Sequence, residues 1–142
     1  MRLVVDANIL VGELLRERGR TLVADNRLEL FIATKVLGEA LHELKRRVNR
    51  IAERPDASVE QLATLLTLAT DTARKNFYVI APNHYQSFER EARRRLPRDA
   101  DDWHTVALAL SLDADIWTQD KDFLGCGVAT WTTDTLLIQL ET

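Results

Sequence analysis

The chain has 142 residues, 46% of them hydrophobic and 29% charged, which suits one globular domain with a substantial core and excludes fibrous and disordered classes. A formal net charge of −3 excludes a polybasic coat for nucleic acid, though not a local basic face. The single cysteine, Cys126, excludes an intrachain disulfide and points to a reducing, cytoplasmic setting. In keeping with that, the N-terminus reads as a core strand rather than a signal peptide, and no apolar run approaches the ~18 residues of a membrane span.

Taken in chain order, residues 2–5 read as a short β-branched strand, and Ile9, Leu10, Leu14 and Leu15 place a helix over 8–18. Leu28 to Ala33 reads as a second strand, with Thr34 as the N-cap of an amphipathic helix over 35–52. Val36, Leu37, Ala40, Leu41, Leu44 and Val48 form its apolar face, and Pro55 follows its end. Ser58, with Gln61 three residues on, has the spacing of a capping box for a helix to about Lys75. That helix is rich in Leu and Ala, which suits either core or the face of a dimer or partner. Phe77 to Ala81 is a third strand, followed by a helix from Asn83 to about Leu96 that Pro97 breaks. Asp99 or Asp101 can cap the next helix, which carries Val106, Ala107, Leu108 and Leu110. Asp115 to Thr118, a turn of helix at Lys121 to Leu124, a strand at Val128 to Trp131 and a helix opened by Thr132 or Thr133 complete the chain. Strands alternating with helices predict a single α/β domain over 1–142, with a mostly parallel sheet covered on both faces.

Ligands of such sheets bind outside the carboxyl ends of the strands. Asp6 ends the first strand and Asp120 follows the fourth, while Glu39 and the pair Asp101/Asp102 lie on intervening helices. Each acid also has an ordinary structural role available. Asp6 and Asp120 can cap the elements they precede, and Asp101 and Asp102 suit a helix's first turn. Glu39 lies close to the apolar face among Val36, Ala40 and Leu44, whereas Glu43 beside Arg46 and Arg47 reads as a surface ion-pair partner. Carboxylates gathered at one sheet edge repel one another unless a cation compensates them. All-oxygen ligands suit Mg²⁺ or Mn²⁺, and His42, His84, His104 and Cys126 lack zinc-ligand spacing.

The run Val4-Val5-Asp6-Ala7-Asn8-Ile9-Leu10, then Thr34-Lys35-Val36-Leu37-Gly38-Glu39, then Asp101-Asp102-Trp103-His104-Thr105-Val106-Ala107-Leu108-Ala109-Leu110, and last Thr118-Gln119-Asp120-Lys121-Asp122-Phe123, resembles the ordered motifs of a PIN domain. The likeness is to the small single-domain kind found in VapC-like toxins, and it runs over nearly the whole chain. It implies a three-layer fold with a central parallel sheet flanked by helices, and metal-dependent cleavage of RNA with Mg²⁺ or Mn²⁺. It also implies metal ligation by Asp6, Glu39, Asp102 and Asp120, with Asn8 and Thr118 as supporting positions. Asp101 could share the role of Asp102 or cap the helix, and Asp122 falls beyond the motif as a surface residue. A partner antitoxin and a homodimer are expected on the same ground.

RNA requires cations on the protein. Lys45, Arg46, Arg47, Arg50 and Arg54 form one cluster, which also reads as a solvated helix face. A second, Arg90, Arg93, Arg94, Arg95 and Arg98, leads toward Asp101/Asp102, and Arg93, Arg94 and Arg98 are its candidate RNA contacts. With few aromatics, stacking on bases has little support, and Trp103, Trp117 and Trp131 read as core. Two rival readings are a haloacid-dehalogenase-like phosphatase and a non-catalytic RNA- or protein-binding module of the same fold. The first wants a second aspartate where this chain has Asn8, and the second sits poorly with the presence of all four acids.

Overall fold

The computed structural model describes residues 1–142. Its centre is a five-stranded, wholly parallel sheet in the order β3-β2-β1-β4-β5. The strands are β1 (Arg2–Val5), β2 (Glu29–Ala33), β3 (Phe77–Ile80), β4 (Asp115–Trp117) and β5 (Thr130–Trp131). The helices are α1 (Ala7–Glu13), α2 (Glu17–Val23), α3 (Thr34–Ala52), α4 (Val59–Asn76), α5 (Glu89–Arg94), α6 (Trp103–Leu112) and α7 (Thr133–Glu141). The strand order reverses direction between β1 and β4, so this pair flanks the topological switch point where ligands of open α/β sheets bind.

Burial on both faces explains the continuous apolar runs of β1 and β2, in which Leu3, Val4, Val5, Leu30, Phe31, Ile32 and Ala33 are all buried. Helix α6 is apolar nearly all round, and every residue from Trp103 to Ala109 is buried. It packs on β1, β2 and β4 and ends at Asp113, whose φ of 50° is the left-handed conformation that stops a helix. The indoles tie the β5 side of the sheet together. Trp117 Nε1 donates to Thr133 Oγ1 at 3.2 Å, and Trp131 Nε1 donates to Asp115 Oδ2 at 2.9 Å.

Several local expectations need correction. The predicted helix over 8–18 is two helices, because Arg16 adopts an extended conformation and α2 folds back on the end of α1. The predicted helix from Asn83 begins as two 3-10 turns, since Tyr85 leaves helical geometry to bury its ring, and α5 proper spans only Glu89–Arg94. Thr34 is the first residue of α3 rather than its cap, and its hydroxyl donates to the Ile80 carbonyl at 3.2 Å. The last strand is shortened to Thr130–Trp131. Ser58 does cap α4, accepting from Gln61 N at 3.2 Å. That helix is not core: it buries only Ala69 and Ala73 and leaves Val59 and Leu68 exposed.

The α1–α2 fold-back depends on Gly19, since a Cβ there would collide with the main chain and side chain of Glu13. Glu13 is itself buried, with Oε1 paired to Arg18 at 3.3 Å and Oε2 lacking a hydrogen-bond partner. Gly19→Ala is therefore expected to lower stability by about 1–3 kcal/mol, as overpacking does. Urea denaturation followed by far-UV circular dichroism measures it, and an unchanged midpoint would remove this constraint.

Candidate active site

The β1–β4 ladder sets Val5 beside Trp117, and the next residues of both strands leave the sheet together. Asp6 donates its N–H to the Trp117 carbonyl at 3.1 Å. Its carboxylate is buried and held on both sides: Oδ1 accepts from Ala7 N at 2.8 Å as the cap of α1, and Oδ2 accepts from Thr118 Oγ1 at 2.8 Å. The Thr118 oxygen in turn accepts from Asp120 N at 2.9 Å. One hydroxyl thus bridges two acids that are 114 positions apart in sequence. Asn8 secures the same turn, its Oδ1 accepting from Gln119 N at 3.3 Å. Asp120 Oδ1 accepts from Asp122 N at 2.9 Å, so the predicted capping roles of Asp6 and Asp120 are real and coexist with their placement at the strand ends.

Asp102 arrives from the other direction, as the residue before α6, and its side chain caps nothing. The turn that carries it is held by Asp99, whose Oδ1 accepts from Asp101 N at 3.2 Å. The start of α6 is anchored by a buried aromatic group: Trp103 stacks on His104 with centroids 3.9 Å apart, and His104 Nδ1 shares a 2.7 Å hydrogen bond with Tyr85 Oη. Asp101 faces away, with its side chain 92% exposed and 3.7 Å from Arg93 Nη1. Glu39 projects from α3 with its side chain 61% exposed and 4.0 Å from Lys35 Nζ. It therefore stands off the apolar face to which its spacing had assigned it. With Ala7, Asn8 and Glu43 it lines a groove of about 450 Å³ beside the start of α1. A cavity of about 510 Å³ between α2 and α7 is larger but contains none of these acids.

The charges of Asp120 and Glu39 act on both Asp6 and Asp102. Burial is the main reason the Asp6 carboxyl lies above its ordinary range, opposed by the Thr118 and Ala7 hydrogen bonds and assisted by the charges of Asp120 and Glu39. Asp102 is pushed up to about 6, first by burial and then by Asp99, Asp6, Asp120 and Glu39. No three His, Cys, Asp or Glu side chains are drawn together into a formed coordination shell. The donor set nevertheless fits a hard divalent cation: oxygen ligands, clustered negative charge, and an Asp102 carboxylate engaged in no cap. The softer donors are occupied elsewhere, with His104 bonded to Tyr85 and Cys126 buried with Sγ 3.8 Å from the Val128 carbonyl.

The candidate RNA contacts fall into distinct environments. Arg93 pairs with Glu89 at 3.0 Å and lies 5.4 Å from the Trp103 ring centroid, and Arg94 pairs with Glu91 at 2.7 Å. Arg98 reaches only Asp122, at 3.5 Å, and Asp122 is half-buried rather than a free surface acid. In the first basic cluster, Arg46 and Arg50 both pair with Glu43, at 3.3 and 3.0 Å, as expected of a solvated face. The residue pattern showed neither the Tyr85–His104 pair nor the influence of Asp99 on Asp102, because both arise from contacts across the fold.

A family model described as PIN domain matches residues 4–141. The chain belongs to the PIN domain family, whose members are generally nucleases that use divalent metals. Among solved structures, PAE2754 from Pyrobaculum aerophilum superposes with a TM-score of 0.67 at 18% identity, covering 99% of this chain and 90% of that one. That likeness shows the fold. No curated protein matches the chain by sequence.

The charge on Asp102 has a measurable consequence in metal-free protein. Its folded-state pKa of about 6 lies above the ordinary 3.8, so its contribution to stability is fully present below about 3.8 and is lost as pH rises through 6. In EDTA at neutral pH, Asp102→Asn is therefore expected to melt at a higher temperature than the parent. The gap should close as pH falls toward 4, and a pH-independent gap in thermal melts would contradict the assignment.

Proposed function

We propose that this protein is a metal-dependent endoribonuclease that hydrolyses RNA phosphodiester bonds with Mg²⁺ or Mn²⁺, and that it serves as the toxin of a type II toxin–antitoxin pair. What supports the nuclease reading is the Asp6–Thr118–Asp120 corner at the ends of β1 and β4, with the charges of Asp6, Glu39 and Asp120 all acting on the Asp102 carboxyl. Asp6, Glu39, Asp102 and Asp120 would hold the cation. When bound, it would supply charge neutralisation at phosphorus and acidify a water for in-line attack. The protein's part is positional. Thr118 and Asn8 fix the Asp6–Asp120 corner, while the Tyr85–His104 pair and the Trp103 stack fix the start of α6 beneath Asp102. Water attack with the 3′-oxygen leaving gives 5′-phosphate and 3′-hydroxyl ends. The toxin role, an antitoxin partner and a homodimer are supported by the VapC-like motif order, and the exposed Val59 and Leu68 of α4 offer a surface for such contacts.

Purified protein should cleave single-stranded RNA only with Mn²⁺ or Mg²⁺, and Asp6→Asn or Asp120→Asn should reduce cleavage to the buffer level while keeping the circular dichroism spectrum. Mn²⁺ at a hundredfold over its Kd should stabilise the parent by about 2.7 kcal/mol and the variants by less. Cleavage by purified Asp6→Asn at the parental rate would overturn the reading. RNA binding without cleavage or metal stabilisation would instead favour a non-catalytic module. Growth arrest on expression, relieved by Asp6→Asn, tests the toxin role.

A further inference from the structure

Next to the Asp120 corner is a cavity of about 420 Å³ whose lining includes Arg95, Arg98, Lys121, Asp122 and Gly125. The two ends of this cavity are built differently. Arg95 is spent on structure: Nε pairs with Glu91 at 2.9 Å and Nη1 donates to the Cys126 carbonyl at 3.0 Å. Gly127, at φ +84°, lies so close to that guanidinium that a Cβ would strike it. This fixes the wall of the cavity. Arg98 and Lys121, by contrast, are exposed cations at its mouth. Arg98 has one ion-pair contact, to Asp122 at 3.5 Å with its own side chain 77% exposed, and Lys121 takes part in none of the protein's ion pairs. An exposed pair of that length contributes little, so Arg98 is readily transferred to a better anion.

The location selects the anion. Lys121 and Asp122 directly follow Asp120, and the Asp122 N–H is bonded to the Asp120 carboxylate. A chain of phosphates with one member at the acids would pass its neighbour across this mouth. A guanidinium fork and an ammonium point charge suit a phosphodiester oxygen pair. We propose that Arg98 and Lys121 form a subsite for an RNA backbone phosphate flanking the one at the four acids, with Asp122 as the built-in competitor that holds Arg98 when RNA is absent. This rests on the nuclease reading for the identity of the ligand, and it adds Lys121 and the antagonistic role of Asp122. Arg93 and Arg94, which are paired within or beside α5, lie outside the subsite.

The test is fluorescence anisotropy of a short labelled single-stranded RNA across a salt series in EDTA, with Mn²⁺-dependent cleavage kinetics alongside. The double variant Arg98→Ala/Lys121→Ala should bind more weakly. Its plot of log affinity against log salt should be shallower by about 0.7, the value for the one phosphate charge that the protein no longer neutralises. Its KM should rise by a larger factor than its kcat falls. Asp122→Asn, which keeps the backbone N–H to Asp120, should tighten binding. The charge-matched Arg74→Ala/Lys75→Ala, exposed at the end of α4 near the opposite edge of the sheet, should leave the slope at the parental value. A parental slope and KM in the first double variant, an equal slope change in the control, or a parent that does not bind RNA would overturn the subsite. Should the parent bind RNA without cleaving it, the nuclease reading fails, while the slope comparison still decides the subsite.

Discussion

Val5 lies beside Trp117 in a parallel ladder, and the acidic edge depends on that register. Because parallel strands end on the same side, the residues that follow β1 and β4 emerge together, and the Asp6 amide closes the ladder onto the Trp117 carbonyl. A slip of one residue would turn Thr118 to the other face and separate its hydroxyl from the Asp6 carboxylate. The strand order places this pair at the switch point, where the connections on either side diverge and leave a crevice. Through the Thr118 hydroxyl, the sheet register ties the Asp6 carboxylate to the main chain of Asp120.

The protein is built to hold like charges near one another, and the surroundings bear the cost. Asp6 is satisfied by two hydrogen bonds that partly offset its burial, while Asp102 has no such relief and keeps its proton to an unusually high pH. Nearby arginines do not neutralise the cluster. Arg93, Arg94 and Arg95 are engaged by Glu89, Asp101 and Glu91 instead. Apart from Lys35 beside Glu39, no protein cation pairs with the four acids, a charge pattern that suits a divalent cation. A net charge of −3 conceals this separation of acidic and basic groups.

Support for Asp102 comes from a separate source. It does not sit on the sheet; it stands at the start of a helix buried almost all round, so its position follows from how α6 seats on β1, β2 and β4. The stacked Trp103 and His104 rings and the Tyr85 hydroxyl hold that start in place. Tyr85 can reach His104 because the chain breaks into 3-10 turns instead of continuing a helix from Asn83. The irregular segment that sequence periodicity reads as a plain helix is thus what lets the anchor form.

The sequence by itself determined the alternation of strands and helices and the strand ends at Asp6 and Asp120, since these are written in local periodicity and in the residues at element boundaries; the order of the four acidic motifs was legible through their resemblance to a PIN domain. It also showed that Glu43 faces Arg46 and that Ser58 opens α4, both being contacts within one helical turn. The separation of α1 from α2 escaped it, because Leu14 and Leu15 continue the apolar spacing across the break and the deciding contact is that of Gly19 with Glu13. Only the tertiary structure decided that Asp102 feels the charges of Asp6, Asp120 and Glu39 while Asp101 turns to Arg93, that Glu39 stands exposed, and that Thr118 links Asp6 to Asp120. The physical reason is range: capping and periodicity act over a few residues, whereas the field at a carboxylate is summed over every charge and every burying group that the fold brings near it.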